Sequence, residues 1–132
     1  MEYKLIISGT LPNLNDYLKA ERQTFRKGGS FTTKGNELKH DTQDLIIWEI
    51  RRQLKGLHIN KQVDLHYTHY EPNEKRDKDN IASFFMKVFQ DSLVLSEVLQ
   101  NDGWKNIRGF SHNFEIDKDN PRIEVNIVEV GD

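Results

Sequence analysis

Asp77 and Asp79 stand two residues apart, where the polar loop Asn73-Glu74-Lys75-Arg76 gives way to a helix-like pattern. If the backbone between them is extended, both carboxylates can point at one spot. Hard divalent cations such as magnesium prefer carboxylate and water oxygens, so the pair is a candidate metal site. Asp91 lies far down the following helix and Asp102 in the loop beyond it. Asn80, Ser83, Lys87 and Asp91 recur at helical spacing and form one polar stripe. Phosphodiester hydrolysis needs a cation that polarises the phosphate and lowers the pKa of an attacking water. It also needs a fixed positive group near the charge that builds up on oxygen, a part open to Lys87.

Each of these residues also has an ordinary use. An Asp just before a helix is most often an N-cap, and either Asp77 or Asp79 could serve only there. Lys87 with Asp91 could be a surface pair worth roughly 0.2–0.5 kcal/mol. The chain also holds an internal control, because Asp-Lys-Asp-Asn occurs at 77–80 and again at 117–120. The second copy runs into Pro121 and a strand pattern, so it reads as a hairpin turn. Neither copy is a calcium loop of the EF-hand type, since the required glycine is missing.

The elements that must position these groups follow from hydrophobic periodicity. Residues 3–9 read as a strand, broken by Pro12-Asn13, with a short helix expected from about Asp16 to Arg26 and a flexible tip at Gly28-Gly29-Ser30. Leu38, Leu45, Ile46, Ile50 and Leu54 place a helix over about Asn36 to Leu54. Residues 62–70 alternate as a strand, with Val63, Leu65, Tyr67 and His69 on one face. A third helix starts after Asn80, its stripe of Ile81, Phe84, Phe85, Val88 and Phe89 facing either the core or a dimer interface. Strands over about 104–114 and 122–130 close the chain. The order β-α-α-β-α-β-β points to a single α+β domain over residues 1–132, with one mixed sheet and helices packed against it.

Composition removes several function classes. The chain has 132 residues and no cysteine, which excludes a disulfide scaffold, a thiolate zinc site and a cysteine nucleophile. Its five histidines are scattered, and His66 and His69 fall on opposite faces of a strand, so zinc has little support. No secretory signal and no apolar run of membrane-spanning length occur, so no membrane partner is expected and a cytoplasmic protein is. Trp48 and Trp104 are read as core or interface packing rather than base-stacking platforms. Net charge is −2, but Lys19, Arg22, Arg26, Lys27, Lys34 and Lys39 cluster against only Glu21 and Glu37. Discounting Asp77, Asp79, Asp91 and Asp102 as cation ligands moves the net charge from −2 to +2, so mild acidity is compatible with DNA.

Taken together, residues 72–104 resemble the RusA family of Holliday junction resolvases. The resemblance lies in Asp77-Lys78-Asp79-Asn80 at a helix start, Lys87-Val88-Phe89-Gln90-Asp91-Ser92-Leu93, and the loop Asn101-Asp102-Gly103, in that order. Leu11-Pro12-Asn13-Leu14-Asn15-Asp16-Tyr17 also looks like the family's opening segment. Two departures stand out: the gap between Asn80 and Lys87 is about one helical turn longer, and the loop pair begins with Asn101 rather than Asp. The resemblance implies a RusA-like fold and a homodimer that cuts branched DNA symmetrically with Mg2+. It places catalysis at Asp77, Asp79, Asp102 and Lys87, and metal ligation at Asp77, Asp79, Asp102 and, at a further acidic position, Asp91.

On that reading Arg22, Arg26, Lys27, Lys34 and Arg76 are candidates for DNA backbone contacts, with a solvated basic face as the alternative. Two rival functions remain: a junction- or branched-DNA-binding module that does not cleave, and a metal-dependent nuclease acting on flaps or single strands.

Overall fold

A computed structural model describes residues 1–131 of the chain. Strand β1 (Glu2–Ser8) leads to helix α1 (Leu14–Glu21), a hairpin of β2 (Thr24–Lys27) and β3 (Ser30–Thr33), and helix α2 (Lys34–Leu54). Strand β4 (Val63–Glu71), helix α3 (Lys78–Leu95) and strands β5 (Ile107–Ile116) and β6 (Arg122–Glu129) complete it. The domain is α+β, with a mixed four-stranded sheet in the order β1-β6-β4-β5 and helices over one face.

Alternation in β4 decides which face that is. Val63, Leu65, Tyr67 and His69 are buried, while Asp64, His66, Thr68 and Tyr70 look the other way. Onto the buried row α3 lays Phe84, Phe85, Val88, Phe89 and Leu93, and α2 adds Ile46 and Ile50. The aromatic stripe of α3 is therefore monomer core. Trp48 and Trp104 are not: they are 59% and 96% exposed.

Two sequence expectations are corrected. The first concerns α1, which does not run on to Arg26. Asn13 caps it reciprocally with Asp16, each side chain accepting from the other's backbone N–H at 2.8 and 3.0 Å. The helix ends at Glu21, because Thr24, Phe25, Phe31, Thr32 and Thr33 favour strand and Gly28-Gly29 supplies a two-residue turn, Gly28 having φ +64°. The second concerns β5 and β6, which are not a hairpin. Because α3 is a crossover, β5 lies parallel to β4 and β6 returns antiparallel on β4's other side. Residues 117–121 carry the chain across the end of β4, where the Asp117 N–H donates to the Glu71 carbonyl at 2.8 Å.

No described helix is long and apolar enough to cross a membrane. Phe89 is fully buried between α3 and β4, with its ring edge-on to Tyr67 at 5.8 Å. Phe89→Ala is expected to cost about 3–5 kcal/mol of stability, read as a lowered midpoint in urea unfolding.

Candidate active site

The two acids of the Asp77-Lys78-Asp79-Asn80 segment are held by a clamp behind them. Arg76 donates to both carboxylate oxygens of Glu71 at 2.9 and 3.0 Å and to the Leu11 carbonyl at 2.7 Å. It also stands 3.8 Å from the Asp16 carboxylate. A two-pronged guanidinium contact of this kind fixes geometry as well as charge. It ties the loop after β4 to the N-terminal segment and delivers the chain into α3 at a set angle. Arg76, expected as a DNA contact, is thus largely buried and committed to the fold.

Asp77 occupies the N-cap position with extended backbone, φ −74° and ψ 141°, yet its side chain makes no capping hydrogen bond. Asp79 lies in the first turn, and both side chains are exposed. No described Lys or Arg forms an ion pair with Asp77, Asp79 or Asp102. The second copy of the motif behaves differently. There Asp117 accepts from the Asn120 N–H at 3.1 Å and from Arg122 at 2.8 Å, and that guanidinium holds its carboxyl below the usual carboxylate range. One copy is consumed by its own turn, and the other is left open.

The remaining candidates do not join Asp77 and Asp79 within one chain. Lys87 lies eight positions beyond Asp79, about 12 Å along the helix axis. It points outward and pairs with Asp91 at 3.3 Å. Asp102 follows the far end of α3, whose 18 residues span about 27 Å. It lines a cleft of about 430 Å³ with Gln90, Trp104, Arg108 and Phe110. A cleft of about 580 Å³ near the other end of α3 is lined by Glu71, Arg76, Lys78 and Phe114. Among the described residues, no three His, Asp or Glu side chains stand close enough to hold one ion.

Of the expected DNA contacts, Arg22, Arg26, Lys27 and Lys34 do gather, around the β2–β3 hairpin. A further group escaped sequence reading. His69 is fully buried and its Nε2 lies 3.0 Å from Nδ1 of His112 on β5. The pair stacks among Tyr67 and Phe114, with ring centroids 4.7–5.2 Å apart for the contacts Tyr67–His112, His69–His112 and His69–Phe114. Burial pushes His69 down to about 4, with neighbouring His112 adding to the effect. Their spacing in sequence carries no hint of this, because parallel pairing of β4 with β5 creates it. Compared with known proteins, the chain matches no family model and no curated protein.

Two outcomes follow. Since the Asp77 side chain caps nothing, Asp77→Ala should leave the thermal midpoint essentially unchanged, whereas the same truncation of a true capping Asp would lose about 1 kcal/mol. His69 has a folded pKa below its unfolded value of 6.5, so the unfolded chain takes up the proton first as pH falls. Stability should therefore decline from about pH 6.5 to about pH 4. In His69→Phe that decline, followed by calorimetry across the same range, should be smaller.

Proposed function

We propose that this chain is a magnesium-dependent endodeoxyribonuclease of the RusA type, which resolves four-way DNA junctions by symmetric phosphodiester hydrolysis in recombination and repair. The observation that carries the reading is the contrast between the two Asp-Lys-Asp-Asn copies. Asp77 and Asp79 sit at a helix start with neither a cap bond nor an ion pair among the described residues, while Asp117 is spent on its turn. Clustered negative charge held open beside a DNA-binding surface gains nothing for simple binding.

The donor set suits the ion. Magnesium takes one or two carboxylates and fills its remaining positions with water and substrate phosphate, and Asp77 and Asp79 offer two such oxygens. Bound there, it would polarise the scissile phosphate and lower the pKa of the attacking water. Asp77 and Asp79 would orient it, Arg76 would keep their loop fixed through Glu71, and the basic hairpin would hold the DNA backbone. Lys78, adjacent to Asp77, is better placed than Lys87 to meet a phosphate at this end of α3.

A homodimer accounts for Asp102. In a two-fold pair, each patch meets its own copy. Strand β5 is a sheet edge with one bonded neighbour, and Phe110 on it is 53% exposed. Antiparallel joining of two β5 edges centred on His112 sets Phe110 opposite Phe114 of the second copy. Phe110 shares its cleft with Asp102, and the Lys78 ammonium lies 5.6 Å from the Phe114 ring centre. Asp102 of one copy then approaches Asp77 and Asp79 of the other, twice per dimer, which suits paired cuts.

A second reading is favoured by one fact: among the described residues of a single chain, no three acids come together. On that reading the protein binds branched DNA without cutting it. The decisive assay incubates wild type with a labelled four-way junction, a duplex and a flap, with and without magnesium. Paired nicks in the junction alone, requiring magnesium and lost in Asp79→Asn, are expected. A mixture of Asp79→Asn and Asp102→Asn chains should regain single nicks, since one of its two sites is intact. Junction bound but never cut would favour the binding module, and cutting of the flap alone would change the substrate.

A further inference from the structure

The β2–β3 hairpin pairs Arg26 directly with Phe31, so their side chains share one face. The Arg26 guanidinium sits 5.4 Å from the Phe31 ring centre, and Phe31 is 72% exposed. An aromatic ring held out of the core and backed by a cation is costly to leave in water, and nothing among the described residues covers it. Beside it the Gly28-Gly29 turn has no side chain to obstruct close approach.

The opposite side of the hairpin has another character. Phe25 turns inward over Ala20 and Leu38. Behind the hairpin, Glu37, Asp41 and Asp44 on α2 line a cleft with Lys27. Successive strand residues face opposite ways, so Lys27 shares this cleft with the carboxylates while Arg26 does not. Phosphate can therefore approach the Arg26–Phe31 face and is repelled from the other.

The geometry points to this hairpin as a stacking wedge for DNA: Phe31 lies on a nucleobase exposed at a branch point, and Arg26 holds the adjacent phosphate. The inference rests on the reading of the chain as a branched-DNA enzyme and supplies its means of telling a branch from plain duplex. Base stacking on aromatic side chains tolerates any sequence but requires an unstacked base, which duplex does not offer. The reach is suitable. Helix α1 spans eight residues, about 12 Å, and links the hairpin to Arg76 and so to Asp77. At about 3.4 Å per nucleotide along one strand that is about three to four nucleotides, so the acids meet the strand a short way from the branch.

Binding measured in EDTA, where nothing is cut, tests the wedge. A four-way junction carrying 2-aminopurine at the branch and a duplex of the same sequence are titrated with wild type, Phe31→Ala, Phe31→Trp and Arg26→Ala. Phe31→Ala should bind the junction roughly tenfold more weakly, keep its duplex affinity and lose the fluorescence change. Phe31→Trp should restore both. Arg26→Ala should weaken junction and duplex alike and flatten the salt dependence. Unchanged thermal melting shows that each variant folds. Junction affinity unaffected by Phe31→Ala overturns the wedge but leaves the nuclease reading standing, and would assign Phe31 to a protein contact. Wild type that binds no DNA overturns both.

Discussion

The packing of α3 against β4 is the contact from which the rest of the molecule follows. Phe84, Phe85, Val88 and Phe89 must be covered, and the row Leu65, Tyr67 and His69 is the surface that covers them. Burying side chains of this size stabilises by roughly 1.5–3 kcal/mol each, more than any surface ion pair here could supply. Once α3 lies there, the chain leaving it can add only a parallel strand, so β5 joins β4 as an edge. The same geometry sends the helix start, with Asp77 and Asp79, to the carboxyl ends of β4 and β5. In open sheets with parallel strands that end is the usual place for ligands. It equally sends Asp102 to the opposite end.

Charge is partitioned just as firmly. On the open face of the sheet, Glu124 is shared between Lys4 at 2.8 Å and Arg122 at 2.7 Å, and Lys4 and Arg122 hold its carboxyl below the ordinary range. Arg122 also lies over the Tyr70 ring at 3.7 Å and reaches Asp117. Arg108 occupies Asp64 in the same way and lowers it. These charges balance one another within the sheet and leave little field outside it. Arg22, Arg26, Lys27 and Lys34 around the hairpin, and Asp77 and Asp79 at the head of α3, form no ion pair among the described residues. A net charge of −2 conceals that arrangement, because binding responds to the local field.

The imidazole pair is a polar contact set among the aromatic rings of the interior. His69 and His112 join β4 to β5 through their rings, with Phe85 edge-on to His69 at 6.1 Å. Desolvation keeps the buried ring neutral, so it acts at neutral pH as a flat aromatic with a polar edge. Tyr67 beside it is likewise held in its neutral form, burial pushing its phenol well up. The pair stabilises the parallel strands that fix both ends of α3, and it does so without placing a charge in the core.

Much of the chain was legible without coordinates. Alternation over 62–70, the apolar stripe from Ile81 to Phe89 and the turn chemistry around Pro12 set the element order and the buried face of β4. Those signals are local, carried by side-chain periods of two and 3.6 residues. Asp77 and Asp79 were legible too, as a pair near a helix start. The hairpin at Thr24–Thr33 was not. Alternating polar and apolar residues with a Gly-Gly turn look like a frayed helix end when charges surround them. Strand pairing was equally hidden, since β5 and β6 are neighbours in sequence but flank β4 in space. The sequence by itself determined which residues can be buried and which can bind a cation or a phosphate. Only the tertiary structure decided that Arg76 serves the fold, that His69 meets His112, and that Asp102 lies a helix length from Asp77. These are distances between segments remote in the chain, and they exist only once α3 has crossed the sheet.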